Sequence, residues 1–200
     1  MKKIFIFACS ISTLLCGCAT ETRVLSDAES QEIVSASLSD NDFEAAAQDM
    51  VNDLLSRPIL AGKNNGKPYY IYFYGIKNET AQRINTKDLS SYIENELLNS
   101  GKVEPTRAFG EDCDTSIAMS RELANSPLVD KTTVKPNGTV KAYDYSLTGR
   151  IQQRNVMVDG GKKLIEYKFD MELNNTTTGT KVWGRVKNIK KITDKHTQTW

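Results

Sequence analysis

The sequence has few of the residues that carry most enzyme chemistry. Its 200 residues include four cysteines and one histidine, His196, which lies near the C-terminus. Because this imidazole lies in the predicted C-terminal tail, histidine-based acid–base catalysis is nearly excluded, and the sequence has no set of cysteines and histidines for a metal site. No glycine-rich phosphate loop follows a strand-like segment. We therefore expect a protein that is not an enzyme, with no catalytic residues, no metal site, no cofactor and no small-molecule substrate.

An excess of charge of one sign is also missing. Lysine and arginine together number 26, aspartate and glutamate number 25, and the formal net charge is +1. Proteins that bind nucleic acid neutralise its phosphates with a concentrated basic surface. The near balance of charges predicts that nucleic acid is not a partner.

No apolar run is long enough to cross a bilayer, for which about 20 residues are needed. Residues 4–15 form a shorter apolar run, with two lysines before it and Leu15-Cys16-Gly17-Cys18 at its end. This order is typical of a secretory signal peptide, and its last four residues have the form of a bacterial lipobox. We predict that residues 1–17 are a lipoprotein signal peptide and that the mature chain begins at a lipidated Cys18. The alternative is an ordinary signal peptide that happens to contain cysteines.

Lipidation of Cys18 predicts a location as well as an anchor. Several acyl chains hold a protein stably, because each buried CH₂ contributes about 0.8 kcal/mol. Ala19 follows the cysteine, and by resemblance to known lipoprotein sorting this residue implies the periplasmic face of the outer membrane. Cys113 is then the single remaining thiol of the mature chain, so no intrachain disulfide is expected. Its acidic neighbours make it a poor nucleophile.

Polarity divides the mature chain into three parts. Residues 18–39 are polar and are predicted to be the lipidated N-terminus and a flexible tether. Fully extended, such a tether spans at most about 70 Å. Residues 40–192 are predicted to form a globular domain, and residues 193–200 a frayed tail.

The first half of the domain is predicted to alternate helices and strands. Apolar residues recur with helical spacing over residues 43–55, which predicts a helix facing the core, capped by Ser39, Asp40 or Asn41. An aromatic and β-branched run at residues 68–76 predicts a central strand, which is also a possible interface because tyrosine is enriched in interfaces.

Further predicted elements follow this strand. A polar loop at residues 77–85 leads to a second helix, capped by Asn85 or Thr86 and ending at Leu98. The remaining segments are predicted to be a short strand at 102–107, a helix at 115–125, and a loop or small hairpin at 126–142.

The last third is predicted to be a β-meander. From Ile165 to Leu173, apolar and charged residues alternate strictly, which predicts an antiparallel strand with one buried and one wet face. A hairpin turn at residues 159–162 precedes it, and residues 181–192 are predicted to be the closing strand. The whole pattern predicts an α+β sandwich, with helices on a mixed sheet of four or five strands. The basic residues of the closing strand are interpreted as edge protection rather than as a binding patch: Arg185, Lys187, Lys190 and Lys191.

Three stretches of the sequence resemble a known family. Residues 42–56 read DFEAAAQDMVNDLLS, residues 76–106 contain NETAQRINTKDLSSYIENELLNSG, and residues 145–191 contain YSLTGRIQQRN and KVWGRVKNIKK. The most specific part is Asn78-x-Thr80, then Ile84-Asn85-Thr86, then residues 97–101, in that order and spacing. Together they are similar to the LpoB-type penicillin-binding protein activators.

This resemblance implies a fold and a function. The family's domain looks like the N-terminal domain of TolB. Its members are outer-membrane lipoproteins that dock on a bifunctional class A penicillin-binding protein, a peptidoglycan synthase, and stimulate it without being enzymes. Four polar residues beside the central strand are the candidate partner-binding set: Asn78, Thr80, Arg83 and Asn85. The alternative is that Asn78 shapes a turn and Asn85 caps the second helix.

Two features depart from the best-known members of that family. Pro136-Asn137-Gly138 lies in the region where those members have a helix, and the tether is shorter than theirs. The short tether fits better with a second hypothesis, a structural lipoprotein of an envelope or secretion-channel assembly. A hydrolase is a third hypothesis, and it requires Cys113 or a pair of carboxylates to lie in a deep pocket.

Overall fold

The computed structural model describes residues 39–61, 66–110 and 113–194. The described residues contain three α-helices and five β-strands. In chain order these are α1 (Asp40–Ser56), β1 (Tyr69–Glu79), α2 (Thr86–Asn99), β2 (Val103–Pro105), α3 (Thr115–Glu122), β3 (Tyr145–Val158), β4 (Lys162–Asn175) and β5 (Thr180–Asp194). The predicted signal peptide, Cys18, residues 18–38 of the tether and His196 lie outside the described residues.

Helix α1 begins at a reciprocal cap. The backbone N–H of Asp42 donates to the Ser39 hydroxyl at 3.3 Å, and the backbone N–H of Ser39 donates to Oδ2 of Asp42 at 2.9 Å. Each side chain thus satisfies an N–H group that the helix leaves unpaired. Ser39 is therefore the cap among the three candidates. The predicted apolar stripe is buried, with Met50 and Leu54 fully so, except for Leu55 at its end, which is partly buried.

The strands form one open mixed sheet in the order β2-β1-β3-β4-β5. Strand β1 pairs in parallel with β2 and with β3, whereas β3, β4 and β5 pair antiparallel as a meander. The predicted α+β class, the strand count and the C-terminal meander are confirmed. The aromatic strand β1 is central, as predicted, because it has a neighbour on each side.

The core lies between one face of this sheet and helices α1 and α2. The apolar residues of β4 predicted for the buried face, from Ile165 to Leu173, are fully buried. Phe43 of α1 meets Phe169 of β4 edge to face at 6.4 Å, and Ile93 of α2 belongs to the same cluster. We call the opposite face of the sheet, which carries mostly polar and charged side chains, the open face.

Strand β1 is longer than its sequence suggests. Residues 77–79 were expected to begin a polar loop, but they pair with residues 150–152 of β3. The pairing shifts register between Phe73 and Ile76, which is a β-bulge. Gly75 lies in the bulge with a φ of +82°, a value that glycine adopts without strain. Beyond the bulge, Lys77 and Glu79 lie on the open face, where their polar side chains remain in contact with water.

Other boundaries also differ from the prediction. Helix α3 ends at Glu122, and Leu123–Asn125 form a turn of 3₁₀ helix instead. The described residues 126–142 contain turns and no strand, so this region is the loop rather than the hairpin of the two options. Strand β5 continues to Asp194, two residues into the predicted tail, since Thr193 still pairs with Lys163.

The basic residues of β5 do not all serve the predicted role. β5 is the edge strand, but three of its basic residues lie on the helix side and pair with aspartates of α1. Arg185 reaches Asp53 at 2.6 Å and Lys187 reaches Asp49 at 2.8 Å, while Lys191 pairs with Asp42. Side-chain alternation along the strand places them there, above the polar flank of α1. We call these six residues the α1–β5 ion-pair cluster.

Candidate functional site

The loop after β1 is held together by the first two candidate residues. The Asn78 amide donates to the Gln82 carbonyl at 2.8 Å, and its Oδ1 accepts from the backbone N–H and the hydroxyl of Thr80 at 3.0 and 2.8 Å. The Thr80 hydroxyl accepts in turn from the backbone N–H of Gln82 at 3.1 Å. Side chains of this kind often replace backbone hydrogen bonds in turns. Asn78 and Thr80 therefore fix the shape of residues 78–82.

The other two candidates end this loop differently. Asn85 is the N-cap of α2, where its Oδ1 accepts from the backbone N–H of Asp88 at 3.4 Å. Arg83 is exposed, and no described residue forms an ion pair or hydrogen bond with its side chain. The loop thus brings the four candidates together, but three of them also support local structure, and only Arg83 is fully available to a partner.

The β1 bulge also opens a groove of about 340 Å³ on the open face. The groove is lined by residues of β1, β3 and β4: Tyr74, Gly75, Lys77, Glu79, Thr148, Gly149, Arg150, Asp170 and Glu172. Its walls come from strands that are far apart in the sequence, so sequence reasoning missed it. The available signal was Gly75 within an aromatic strand, since glycine inside a strand often marks a bulge.

Ion pairs fix the charged side chains of the groove. Nε and Nη2 of Arg150 both donate to Oδ2 of Asp170, at 3.1 and 2.8 Å. Hydrogen bonds from Lys77 and then from Gln152 hold the pKa of Glu79 below its usual value, so Glu79 is ionised at neutral pH. The hydrogen bonds to Asp170 raise the pKa of Arg150 above its usual value. The groove is therefore lined by fixed charges of both signs.

A row of aromatic rings leads into the groove. Tyr74 is 64% exposed, and its ring meets Tyr72 edge to face at 4.5 Å. Tyr72 contacts Tyr143 at 5.5 Å, and Tyr143 contacts Phe109 at 6.2 Å. Edge-to-face geometry is favourable for aromatic pairs, so the row holds Tyr74 in place at the rim.

The groove does not have the arrangement that the hydrolase hypothesis requires. Its carboxylates are paired with cations, Asp170 with Arg150, Glu79 with Lys77 and Glu172 with Lys181, which stabilises their ionised form rather than that of a general acid. Cys113 is half-buried and does not line this groove. The described residues hold no cluster of acidic, histidine or cysteine side chains that fits a metal ion. They also contain no helix with the length and apolarity that a membrane crossing needs.

Comparison with solved structures finds several similar chains of low sequence identity. The C-terminal domain of LpoB from Escherichia coli is 15% identical over 74% of this chain and 98% of its own, with a TM-score of 0.42. The corresponding domain from Salmonella enterica is 14% identical with the same coverage and TM-score. Lipoprotein GNA1162 from Neisseria meningitidis is 13% identical over 62% of this chain and 84% of its own, with a TM-score of 0.37. No curated protein sequence matches the chain significantly.

A family profile gives the decisive comparison. The profile described as peptidoglycan-synthase activator LpoB matches residues 42–189, from the first turn of α1 to the last third of β5. It therefore covers well over half of the chain and nearly all of the folded domain. The role it describes is activation of a synthase, which is regulatory rather than catalytic. This chain belongs to the LpoB family of peptidoglycan-synthase activators.

Proposed function

We propose that this chain is an outer-membrane lipoprotein that binds a bifunctional class A penicillin-binding protein and stimulates its synthesis of peptidoglycan. The supporting observation is the family match over residues 42–189, which extends across the domain instead of resting on one short motif. The groove and the loop after β1 offer binding surfaces, and the described residues offer no catalytic constellation. Both features agree with a protein that acts through binding alone.

The proposed anchor is a lipid on Cys18, after removal of residues 1–17. Cells grown with labelled palmitate should yield labelled protein from the wild-type chain and unlabelled protein from a Cys18→Ala variant. The wild-type protein should also sediment with outer-membrane fragments. A wild-type chain that is secreted without label would contradict the anchor while leaving the binding proposal untouched.

Stimulation requires preferential binding to one state of the synthase. A ligand shifts a conformational equilibrium only as far as its affinities for the two states differ. A tenfold rise in the ratio of active to inactive synthase needs a difference of about 1.4 kcal/mol, which a few well-packed contacts can supply. No covalent step by the activator is needed.

The loop after β1 is the proposed contact that the sequence suggested. In this proposal Asn78 and Thr80 hold the loop in one conformation, Asn85 joins it to α2, and Arg83 contacts the synthase directly. Fixing the loop before binding reduces the conformational entropy that binding would otherwise cost.

Glycan-strand synthesis by purified class A synthases tests the function. The full chain, purified in detergent, should stimulate its cognate synthase, and the effect should saturate as the concentration of the chain rises. Arg83→Ala should weaken the effect, and Lys135→Ala, which alters an exposed cation in the 126–142 loop, should not. If no class A synthase binds or responds and the chain instead forms a large defined oligomer, the assembly hypothesis replaces this one.

A further inference from the structure

We propose that Gln82 is a second partner-binding residue of the loop after β1, and that its side-chain amide donates a hydrogen bond to an oxygen acceptor of the synthase. This inference rests on the proposed function, because it names a further contact with the same partner. Gln82 lies directly before Arg83, the exposed candidate of that loop. The acceptor is a carbonyl or carboxylate oxygen, since these are the groups in proteins that accept hydrogen bonds from an amide.

The side chain of Gln82 is buried although it belongs to an exposed loop. It is 5% exposed, whereas its neighbours Ala81 and Arg83 are both exposed. Glutamine is mostly a surface residue. Asp170 is also a buried polar residue of the described chain, but its carboxylate is paired with Arg150. The amide of Gln82 has no comparable partner.

The side-chain nitrogen of Gln82 has no acceptor among the described residues. Nε2 is buried, and no described atom accepts a hydrogen bond from it. A buried donor without a partner destabilises the folded state, because its hydrogen bonds with water are lost on folding and are not replaced. Most buried polar atoms in proteins are paired, so an unpaired one requires an explanation. A donor that is kept for the synthase explains why this position is not apolar.

The main chain of Gln82 is held in place by the two side chains that shape the loop. Its carbonyl accepts from the Asn78 amide at 2.8 Å and from the Thr80 hydroxyl at 3.3 Å, and its N–H donates to the Thr80 hydroxyl at 3.1 Å. The side-chain nitrogen is not tied in this way. The amide can therefore turn about its own torsion angles while the loop keeps its shape, and such side-chain rotations are common when interfaces form.

The inward and outward positions of the amide are close in free energy. Turning outward loses the packing of two methylene groups, but it returns the amide to water and removes the unpaired donor. Because these two contributions are of similar size, one acceptor on the synthase is enough to favour the outward position. Gln82 and Arg83 then present neighbouring donors, an amide and a guanidinium, to the same surface of the synthase.

Two substitutions with opposite effects on stability and affinity test this role in the full chain, purified in detergent. Gln82→Met keeps the length of the side chain and removes the amide. Its urea denaturation midpoint should equal or exceed that of wild type, while its affinity for the cognate synthase should fall at least fivefold. Gln82→Asn keeps the amide and removes one methylene, so it should be less stable than Gln82→Met and yet bind the synthase more tightly. A merely structural residue would give the same order in both assays.

Gln153→Met is the matched control. Gln153 also has a buried unpaired atom, Oε1, but it lies on β3 outside the loop, so this variant should bind the synthase like wild type. Wild-type affinity in folded Gln82→Met, or an equal loss in both methionine variants, overturns the inference and leaves the proposed function standing. A midpoint of Gln82→Met well below that of wild type also overturns it, because the amide is then satisfied in the free domain. If the wild-type chain binds no class A synthase, the proposed function fails and the inference fails with it.

Discussion

Replacing Asp53 by alanine should destabilise the domain more than any other single change in the α1–β5 ion-pair cluster. Asp53 accepts a hydrogen bond of 2.8 Å from the indole N–H of Trp183, which is only 7% exposed, and it also pairs with Arg185. A buried donor left without a partner costs about 1–3 kcal/mol. The side chain of Asp53 is itself only 15% exposed, so water cannot easily replace the lost carboxylate. We expect a loss of about 2 kcal/mol in the free energy of unfolding.

Urea denaturation followed by circular dichroism measures this loss. With a slope of about 2 kcal/mol per molar urea, the midpoint should fall by about 1 M. Asp49→Ala is the matched control, since it removes an aspartate of the same helix that also pairs with Arg185. The Asp49 side chain is 42% exposed and contacts no buried donor, so its loss should be much smaller. Equal midpoints for the two variants would refute the reasoning that the buried indole makes Asp53 distinct.

The same aspartate predicts a pH dependence. Hydrogen bonds from Trp183, and then from Arg57, hold the pKa of Asp53 below its usual value. A folded pKa below the unfolded one adds stability that is present above the unfolded pKa, about 3.9, and is lost as the pH falls through the folded pKa. The stability difference between wild type and Asp53→Asn should therefore be full at neutral pH and shrink in acid. A difference that stays constant in strong acid would show that the charge of Asp53 contributes nothing.

Three further changes test the core, a cap and the bulge by the same denaturation assay. Ile93→Ala empties a fully buried site and should cost about 3 kcal/mol, whereas Leu98→Ala on the exposed side of α2 should cost at most about 0.5 kcal/mol. Asn85→Ala removes the cap of α2 and should cost about 1 kcal/mol, which Asn85→Ser should largely restore. Gly75→Ala places a side chain at a φ of +82°, with its Cβ 3.4 Å from the Ser90 hydroxyl, and should cost about 1–2 kcal/mol; an unchanged midpoint would mean that the bulge relaxes freely.

The elements that the sequence predicted well are those whose periodicity is set by one buried face. The helix over residues 43–55 faces the core at every third or fourth position, and the strand over residues 165–173 at every second position. Both apolar faces are buried as predicted, except for the partly buried Leu55. Where both faces of an element are polar, no such signal exists. Residues 77–79 belong to β1 only because β3 continues alongside them, and this pairing partner lies more than 70 residues away in the chain.

The basic residues of β5 show a second limit of sequence reasoning. Their alternation places Arg185 and Lys187 on the same face as Trp183, but nothing local indicates that α1 lies above that face. The aspartates of α1 are equally uninformative alone, because a charged flank is ordinary for a surface helix. The ion-pair cluster becomes visible only when both elements are placed, and the groove is missed for the same reason, since Tyr74 and Asp170 lie on different strands.

A change in stability and a change in a contact with the synthase should affect activation in different ways. The plateau of stimulation depends on the ratio of affinities for the active and inactive synthase, whereas the concentration needed for half of the effect depends on the affinities themselves. Asp53→Ala changes no contact in the loop after β1 and acts only by lowering the folded fraction, so it should raise the concentration needed for half of the effect and leave the plateau unchanged. Arg83→Ala should lower the plateau if the loop after β1 distinguishes the active state. The two kinds of variant therefore separate holding the synthase from switching it.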